Sequence, residues 1–288
     1  MKKIILFFKT AQSLQIDDNL LLIYKKNSLH MEQYALITGA SKGIGKSIAI
    51  QLAKSGYHLL LTARSEAELQ LLSAQLKADF KIKVGILAID LSLTDSSKTV
   101  ADWCKQETGQ LSILINNAGF GLWGDFESLE LQGQMNMLRL NIDAVLSLTH
   151  HLIPLLKTQK RSFILNISST AAYQAVPTLA LYAASKAFIR SYSRALRYEL
   201  KNTSISVSCS CPGPTDTGFA SRAGLDALAD LAEKFNMSPD QVAELSLHGM
   251  FRKKAEIIPG FLNKLSAVGV WMLPKALIER ITAGLYKR

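Results

Sequence analysis

The 288-residue chain holds 33 basic and 23 acidic side chains, a formal net charge of +10, with 48% hydrophobic and 19% charged residues. This composition excludes a disordered chain, and the length suffices for one large domain or two small ones with a real core. The basic excess sits at the ends: residues 1–30 carry five basic and two acidic side chains and residues 249–288 carry eight and two, so residues 31–248 are nearly neutral and argue against a nucleic-acid groove.

Cys104, Cys209 and Cys211 are an odd number without zinc-ligand spacing. They point to a reducing, cytoplasmic compartment rather than a disulfide framework, and Cys209 and Cys211, on one face of a predicted strand, read as small core residues. Residues 1–30 contain two apolar clusters, Ile4–Phe8 and Leu20–Tyr24, too short for a signal-peptide core or a membrane span, and are expected to be a loosely attached extension.

The stretch from Gln33 to Ala53 reads as strand, glycine turn and helix. Tyr34–Thr38 is a short apolar run, and Ile44, Ile48, Ala49 and Leu52 recur at helical spacing. Between them lie Gly39, Gly43 and Gly45. A phosphate needs bare backbone N–H groups at a helix N-terminus, which a Cβ at a close-approach position would obstruct. With an apolar strand following at Leu59–Thr62, the segment makes a β-α-β unit with a nucleotide site at its mouth.

The second strand ends in Ala63, Arg64 and Ser65, with no carboxylate before Glu66. A carboxylate there would accept from the ribose hydroxyls of NAD, whereas a 2′-phosphate needs a cation. Arg64, with Lys42 of the glycine turn, therefore favours NADP(H), the alternative being an arginine that caps an exposed loop. Glu66–Lys77 reads as a helix and Val84–Ile89 as a strand, leading to Asp90 and Leu91 where a loop would meet the adenine. Ile113–Ile115 is the fourth strand, and the Asn116, Asn117, Ala118 and Gly119 behind it would let backbone pass close to a cofactor while the amides tie strands together.

Leu129–Thr158 is a long helical stretch, expected to be broken, containing Asn141, His150 and His151; adjacent histidines on a helix diverge and cannot form a metal pair. Phe163–Ile167 is the fifth strand and ends in Ser168 and Ser169. Tyr182 and Lys186 then stand four apart, on one helical face. Ile205–Cys209 is the sixth strand, followed by Pro212, Gly213, Pro214, Thr215, Asp216 and Thr217. The whole alternation predicts an α/β fold, a doubly wound parallel sheet with helices on both faces.

TGASKGIG at 38–45, NNAG at 116–119, Asn141, Ser169, YAASK at 182–186 and PG at 212–213 together resemble the short-chain dehydrogenase/reductase family. The resemblance runs over residues 33–217 and implies a Rossmann fold and an oxidoreductase. It implies cofactor contacts from Gly39, Ser41, Lys42, Gly43, Ile44, Gly45, Arg64, Asp90, Leu91, Asn117, Ala118, Gly119, Pro212, Gly213, Thr215 and Thr217. It also implies that Tyr182 donates a proton to a carbonyl oxygen as hydride arrives from NADPH, with Ser169 bonded to that oxygen. Lys186 would hold the ribose hydroxyls and lower the phenol's pKa, and Asn141 would hold a water for reprotonation. Bringing a tyrosine from about 10 to near 7 needs roughly 4 kcal/mol, part of which a neighbouring cation supplies. A small-molecule carbonyl substrate and a homo-oligomer, dimer or tetramer, follow from the same resemblance.

Phe219–Phe235 and Ser238–His248 read as helices, the second opened by a capping box of Ser238 and Gln241 with Pro239 at its first position, and the resemblance implies that they lie over the substrate. With Phe120, Leu122 and Trp123 they suggest an apolar substrate. Residues 31–250 are thus expected as the nucleotide-binding domain and 251–288 as a basic tail. The tail contains an apolar stretch at 261–273 and an amphipathic pattern from Lys275 to Arg288. It suits peripheral contact with an anionic membrane, packing across the substrate mouth, or a subunit partner. The rival functions are an NADPH-binding sensor without turnover and a membrane-surface interaction protein.

Overall fold

The computed structural model describes residues 33–216 and 236–285. The N-terminal extension, Thr217 and the helix expected at Phe219–Phe235 lie outside the described residues.

Seven parallel strands form one sheet in the order β3-β2-β1-β4-β5-β6-β7. They are β1 (Tyr34–Thr38), β2 (His58–Ala63), β3 (Val84–Ala88), β4 (Leu111–Asn116), β5 (Ser162–Ile167), β6 (Ile205–Ser210) and β7 (Glu256–Ile257). The central strands are buried along their whole length, as strands covered on both faces must be, which is why they read as continuous apolar runs. Alternate residues divide between two layers. Leu36, Leu60, Leu114, Ile164 and Val207 share a core with helices α3 (Ser96–Glu107) and α5 (Ala144–Lys157), whose Val100, Leu148 and Leu152 are fully buried there. Their neighbours face the other side, where the Phe163 ring meets Phe251 of α7 (Pro239–Phe251) edge to face at 5.4 Å. Helix α7 packs on α1 (Gly43–Lys54).

Helix α2 (Glu66–Phe80) crosses from β2 to β3, and α6 (Ala180–Glu199) joins β5 to β6. The predicted break in the long helical stretch is real and local: α4 (Leu131–Leu138) passes through a π-helical turn at Arg139–Asp143 into α5, and Asn141 sits in that turn. A π-turn adds a residue to the helical circuit and re-aims the side chains beside it, a device frequent at functional sites. The capping box at α7 forms as expected, with Ser238 accepting from the Gln241 amide and Gln241 from Ser238. Helix α3 and two further features were not read from the sequence. A short helical turn, Thr170–Tyr173, follows Ser169, and β7 adds a seventh strand from residues set apart as tail. A two-residue strand has no periodicity to read. Beyond it, α8 (Phe261–Met272) and α9 (Lys275–Leu285) are separated by Leu273 and Pro274. No helix among the described residues is long and apolar enough to cross a membrane.

Candidate active site

The strand order reverses between β1 and β4, and the predicted site loops among the described residues lie beyond the carboxyl ends of strands, where doubly wound folds form their crevice. Gly39 follows β1, Arg64 β2, Asp90 and Leu91 β3, Asn117 to Gly119 β4, Ser169 β5, and the Pro212 to Thr215 turn β6.

The glycine turn is built around close approaches. Gly39 and Gly43 hold left-handed backbones at φ +64° and +53°. A Cβ on Gly45 would collide with the Gly39 carbonyl oxygen and lie 2.5 Å from Asn117 Nδ2. The Asn117 amide donates to the carbonyls of Thr38 (2.9 Å) and Gly39 (3.1 Å), and the backbone N–H groups of Asn117 and Ala118 both donate to Thr38 Oγ1 at 3.0 Å. The NNAG segment therefore ties β4 to β1 as its amides suggested. Asn116 does the same on the other side, donating to Asn166 Oδ1 of β5 at 2.8 Å. Thr38 is a structural member of the turn that the sequence analysis did not single out, because a strand threonine carries no signal of its own.

At the end of β2, Arg64 is exposed and Lys42 pairs with Glu68 at 2.7 Å, a contact the sequence analysis did not foresee. Asp90 Oδ1 accepts from the backbone and hydroxyl of Ser92 at 2.9 and 2.7 Å, which closes the loop after β3 and leaves Leu91 buried.

Tyr182 and Lys186 lie one turn apart on α6, with the ammonium 5.8 Å from the phenol ring centroid. Lys186 is fully enclosed, its Nζ donating to the Ile167 carbonyl at 3.0 Å, and burial pulls its pKa down to about 8. Ser168 Oγ donates to the Lys186 carbonyl at 2.7 Å, fixing α6 against the end of β5. Ser169 Oγ accepts from the Ala171 amide at 3.1 Å and so starts the Thr170–Tyr173 turn. Asn141, 1% exposed, brackets Phe120: Nδ2 donates to its carbonyl at 3.0 Å and Oδ1 accepts its N–H at 3.1 Å. Asn141 Nδ2 also reaches Ser185 Oγ at 3.1 Å, and Ser185 donates in turn to the Tyr182 carbonyl at 2.7 Å. A polar chain thus runs from the π-turn to the helix of Tyr182 and Lys186. Ser185 was missed because a serine inside a helix usually bonds only to its own backbone.

Apolar side chains wall this cluster. Trp123, Met137, Val176, Leu179 and Ala183 are buried around Tyr182, with Phe120 and Leu122 packed against them. Behind it, Tyr173 donates to Glu256 Oε1 at 2.7 Å while Arg190 Nε donates to Oε2 at 2.9 Å. This network fastens the turn after Ser169 to α6 and β7. Cys209 and Cys211 lie beneath it with their sulfurs 3.9 Å apart and fully buried, as small core residues.

Residues 33–228 match the family described as short chain dehydrogenase. The chain is 38% identical over 192 residues to a very-long-chain 3-oxoacyl-CoA reductase of Kluyveromyces lactis, covering 64% of this chain and 55% of the relative. It is 30% identical over 274 residues to a very-long-chain 3-oxoacyl-CoA reductase-like protein of Arabidopsis thaliana, covering 93% and 86%. The chain spans about half the length of the first of these curated relatives. Among solved structures it resembles a short-chain dehydrogenase from Sphingobium yanoikuyae in complex with NADPH, with a TM-score of 0.74, 29% identity, and coverage of 85% of this chain and 97% of the other.

Proposed function

The chain belongs to the short chain dehydrogenase family, and from that premise we propose that it reduces a ketone or aldehyde on an apolar substrate with NADPH, Tyr182 being the proton donor. The observation that carries the reading is the enclosure of Tyr182 by Trp123, Met137, Val176 and Leu179, one helical turn from the buried Lys186. The cradle fits a dinucleotide: Gly39, Gly43 and Gly45 clear the approach to the N-terminus of α1, and Gly119 lacks the Cβ that would press on the buried Asn141 Oδ1 and Lys186 Nζ. Ser41, Ile44, Ala118, Asp90, Leu91, Pro212, Gly213 and Thr215 complete the cofactor contacts in this reading, and Arg64 with Lys42 receives the 2′-phosphate.

NADPH supplies the hydride when bound. The chain's own residues do the rest. The Ser169 hydroxyl donates to the carbonyl oxygen, offsetting the negative charge that develops there. Tyr182 delivers the proton to the same oxygen. The Lys186 ammonium, held by the Ile167 carbonyl, favours the resulting phenolate. Asn141, locked by the π-turn, orders the path toward Lys186 along which the proton is restored. The relatives named for 3-oxoacyl-CoA reduction support an acyl chain as the apolar part. A homo-oligomer formed through α4 and α6 is part of the same reading, supported by the exposure of Leu131, Met135 and Phe188 on those helices.

The test is NADPH oxidation with a panel of apolar ketones, aldehydes and 3-oxoacyl thioesters, with Tyr182→Phe alongside. Turnover by the parent that falls by about a hundredfold or more in the variant, with NADPH binding retained, is the expected result. Tight NADPH binding with no turnover on any of these substrates would instead favour a sensor.

A further inference from the structure

Helix α8 is packed inside out. Ala267 is buried against the domain, and Asn263, half-buried, donates its Nδ2 to the Pro259 carbonyl at 2.8 Å. Phe261, Leu262, Leu265, Val268 and Met272 face away. Phe261, Leu265, Val268 and Met272 recur at intervals of three and four, one face of a helix, and Phe261 and Met272 are 70% and 73% exposed. Helix α9 repeats the arrangement, burying Ile278 and Thr282 while Leu277 and Ile281 stand exposed. A surface helix of a self-contained domain normally turns that face inward, so an apolar stripe of this length marks an interaction site.

Charge identifies the occupant. Lys264, Lys275 and Arg280 are exposed on the same two helices, against the single acidic side chain of Glu279. Across residues 249–288 the balance is eight basic to two acidic, and Glu256 is already engaged by Arg190. A second copy meeting this face isologously would bring like charges together in an apolar seam. A bilayer with anionic headgroups accommodates both properties, taking apolar side chains at the acyl boundary and lysine and arginine at its surface. At 12 and 11 residues, the helices are too short to cross and suited to lie in the interface.

We propose that α8 and α9 form a membrane-seating surface, with Phe261, Leu265, Val268, Met272, Leu277 and Ile281 entering the interface of an anionic bilayer and Lys264, Lys275 and Arg280 against its headgroups. This goes beyond the carbonyl-reductase reading and does not depend on it.

The experiment is flotation of the full chain with vesicles of phosphatidylcholine alone and of phosphatidylcholine mixed with phosphatidylglycerol. Binding to the mixed vesicles is expected, with loss at high salt. The double variant Val268→Glu, Met272→Glu should abolish it, and Lys275→Gln with Arg280→Gln should weaken it about thirtyfold, at roughly fivefold per charge. Thermal melting and NADPH binding report whether each variant folds, and the charge variant, confined to exposed side chains, keeps the test decisive if the other does not. No binding to mixed vesicles, or binding unchanged in the charge variant, overturns the proposal. So does self-association in sedimentation velocity that the Val268→Glu, Met272→Glu variant removes while vesicle binding is absent, which would assign the face to a second copy.

Discussion

Gly119 and Asn141 stand so close that a Cβ on Gly119 would lie 2.9 Å from Asn141 Oδ1, and it would lie 3.2 Å from Lys186 Nζ as well. Gly119→Ala must therefore push one of these two side chains aside, and both are locked by hydrogen bonds on their far sides. A displacement of this kind costs about a hundredfold in kcat/KM. Steady-state kinetics with NADPH and the best substrate of the panel measure it, and unchanged kinetics would show that Asn141 and Lys186 need not hold these positions.

Gly45→Ala strikes the cofactor cradle. The new methyl meets the Gly39 carbonyl and Asn117 Nδ2, neither of which has slack, and the cost to folding is about 1 to 3 kcal/mol. Urea denaturation gives the stability loss, and fluorescence titration with NADPH should show binding lost before folding is.

Lys186→Met isolates the cost of burying an ammonium. Burial lowers the Lys186 pKa from 10.5 to about 8, so below that pH the folded chain carries the full penalty, on the order of 3 kcal/mol. Between about 8 and 10.5 the folded chain has released a proton that the unfolded chain still holds, so parent stability gains on the variant as pH rises. Lys186→Met should thus be the more stable protein at neutral pH, inactive, with its advantage shrinking across that window. Denaturant unfolding at a series of pH values tests the sign.

Arg64→Asp should invert cofactor preference. A cation bonded to a 2′-phosphate contributes enough that its loss lowers the NADPH to NADH ratio of kcat/KM by at least about tenfold. Glu68→Gln should act in the opposite direction by releasing Lys42, with little change in stability because Lys42 is exposed and Glu68 only half-buried.

Arg190→Ala opens the network behind the site. Glu256 keeps Tyr173 but loses its two-point partner, at a cost of about 1 to 3 kcal/mol in denaturant unfolding. The turn after Ser169 loosens with it, so kcat should fall more than NADPH affinity does.

Much of this site was legible in the chain because its chemistry admits few residue types. Glycine suits the close approaches at Gly39, Gly43 and Gly45, and Tyr182 and Lys186 stood out through the family resemblance, their four-residue spacing placing them on one helical face. The sheet was legible because strands buried on both faces read as unbroken apolar runs. What escaped reading was relational. The partnership of Lys42 with Glu68 crosses from the glycine turn to α2, and that of Tyr173 with Arg190 and Glu256 joins three elements far apart in sequence. The orientation of α8 was equally hidden, since its apolar periodicity shows that it has a face but not which way the face turns.

The Asn263 side chain of α8 fills the space beside Gly213, so that any Cβ there would collide with it, and Gly213 lies in the turn after β6 that is proposed to contact the cofactor. The helix that presents the apolar stripe is therefore seated directly on that turn. Thermodynamic reciprocity then requires that whatever factor vesicles change NADPH affinity by, NADPH changes vesicle affinity by the same factor. A reductase so built would be tuned by the surface it rests on, and its cofactor occupancy would report how firmly it rests there.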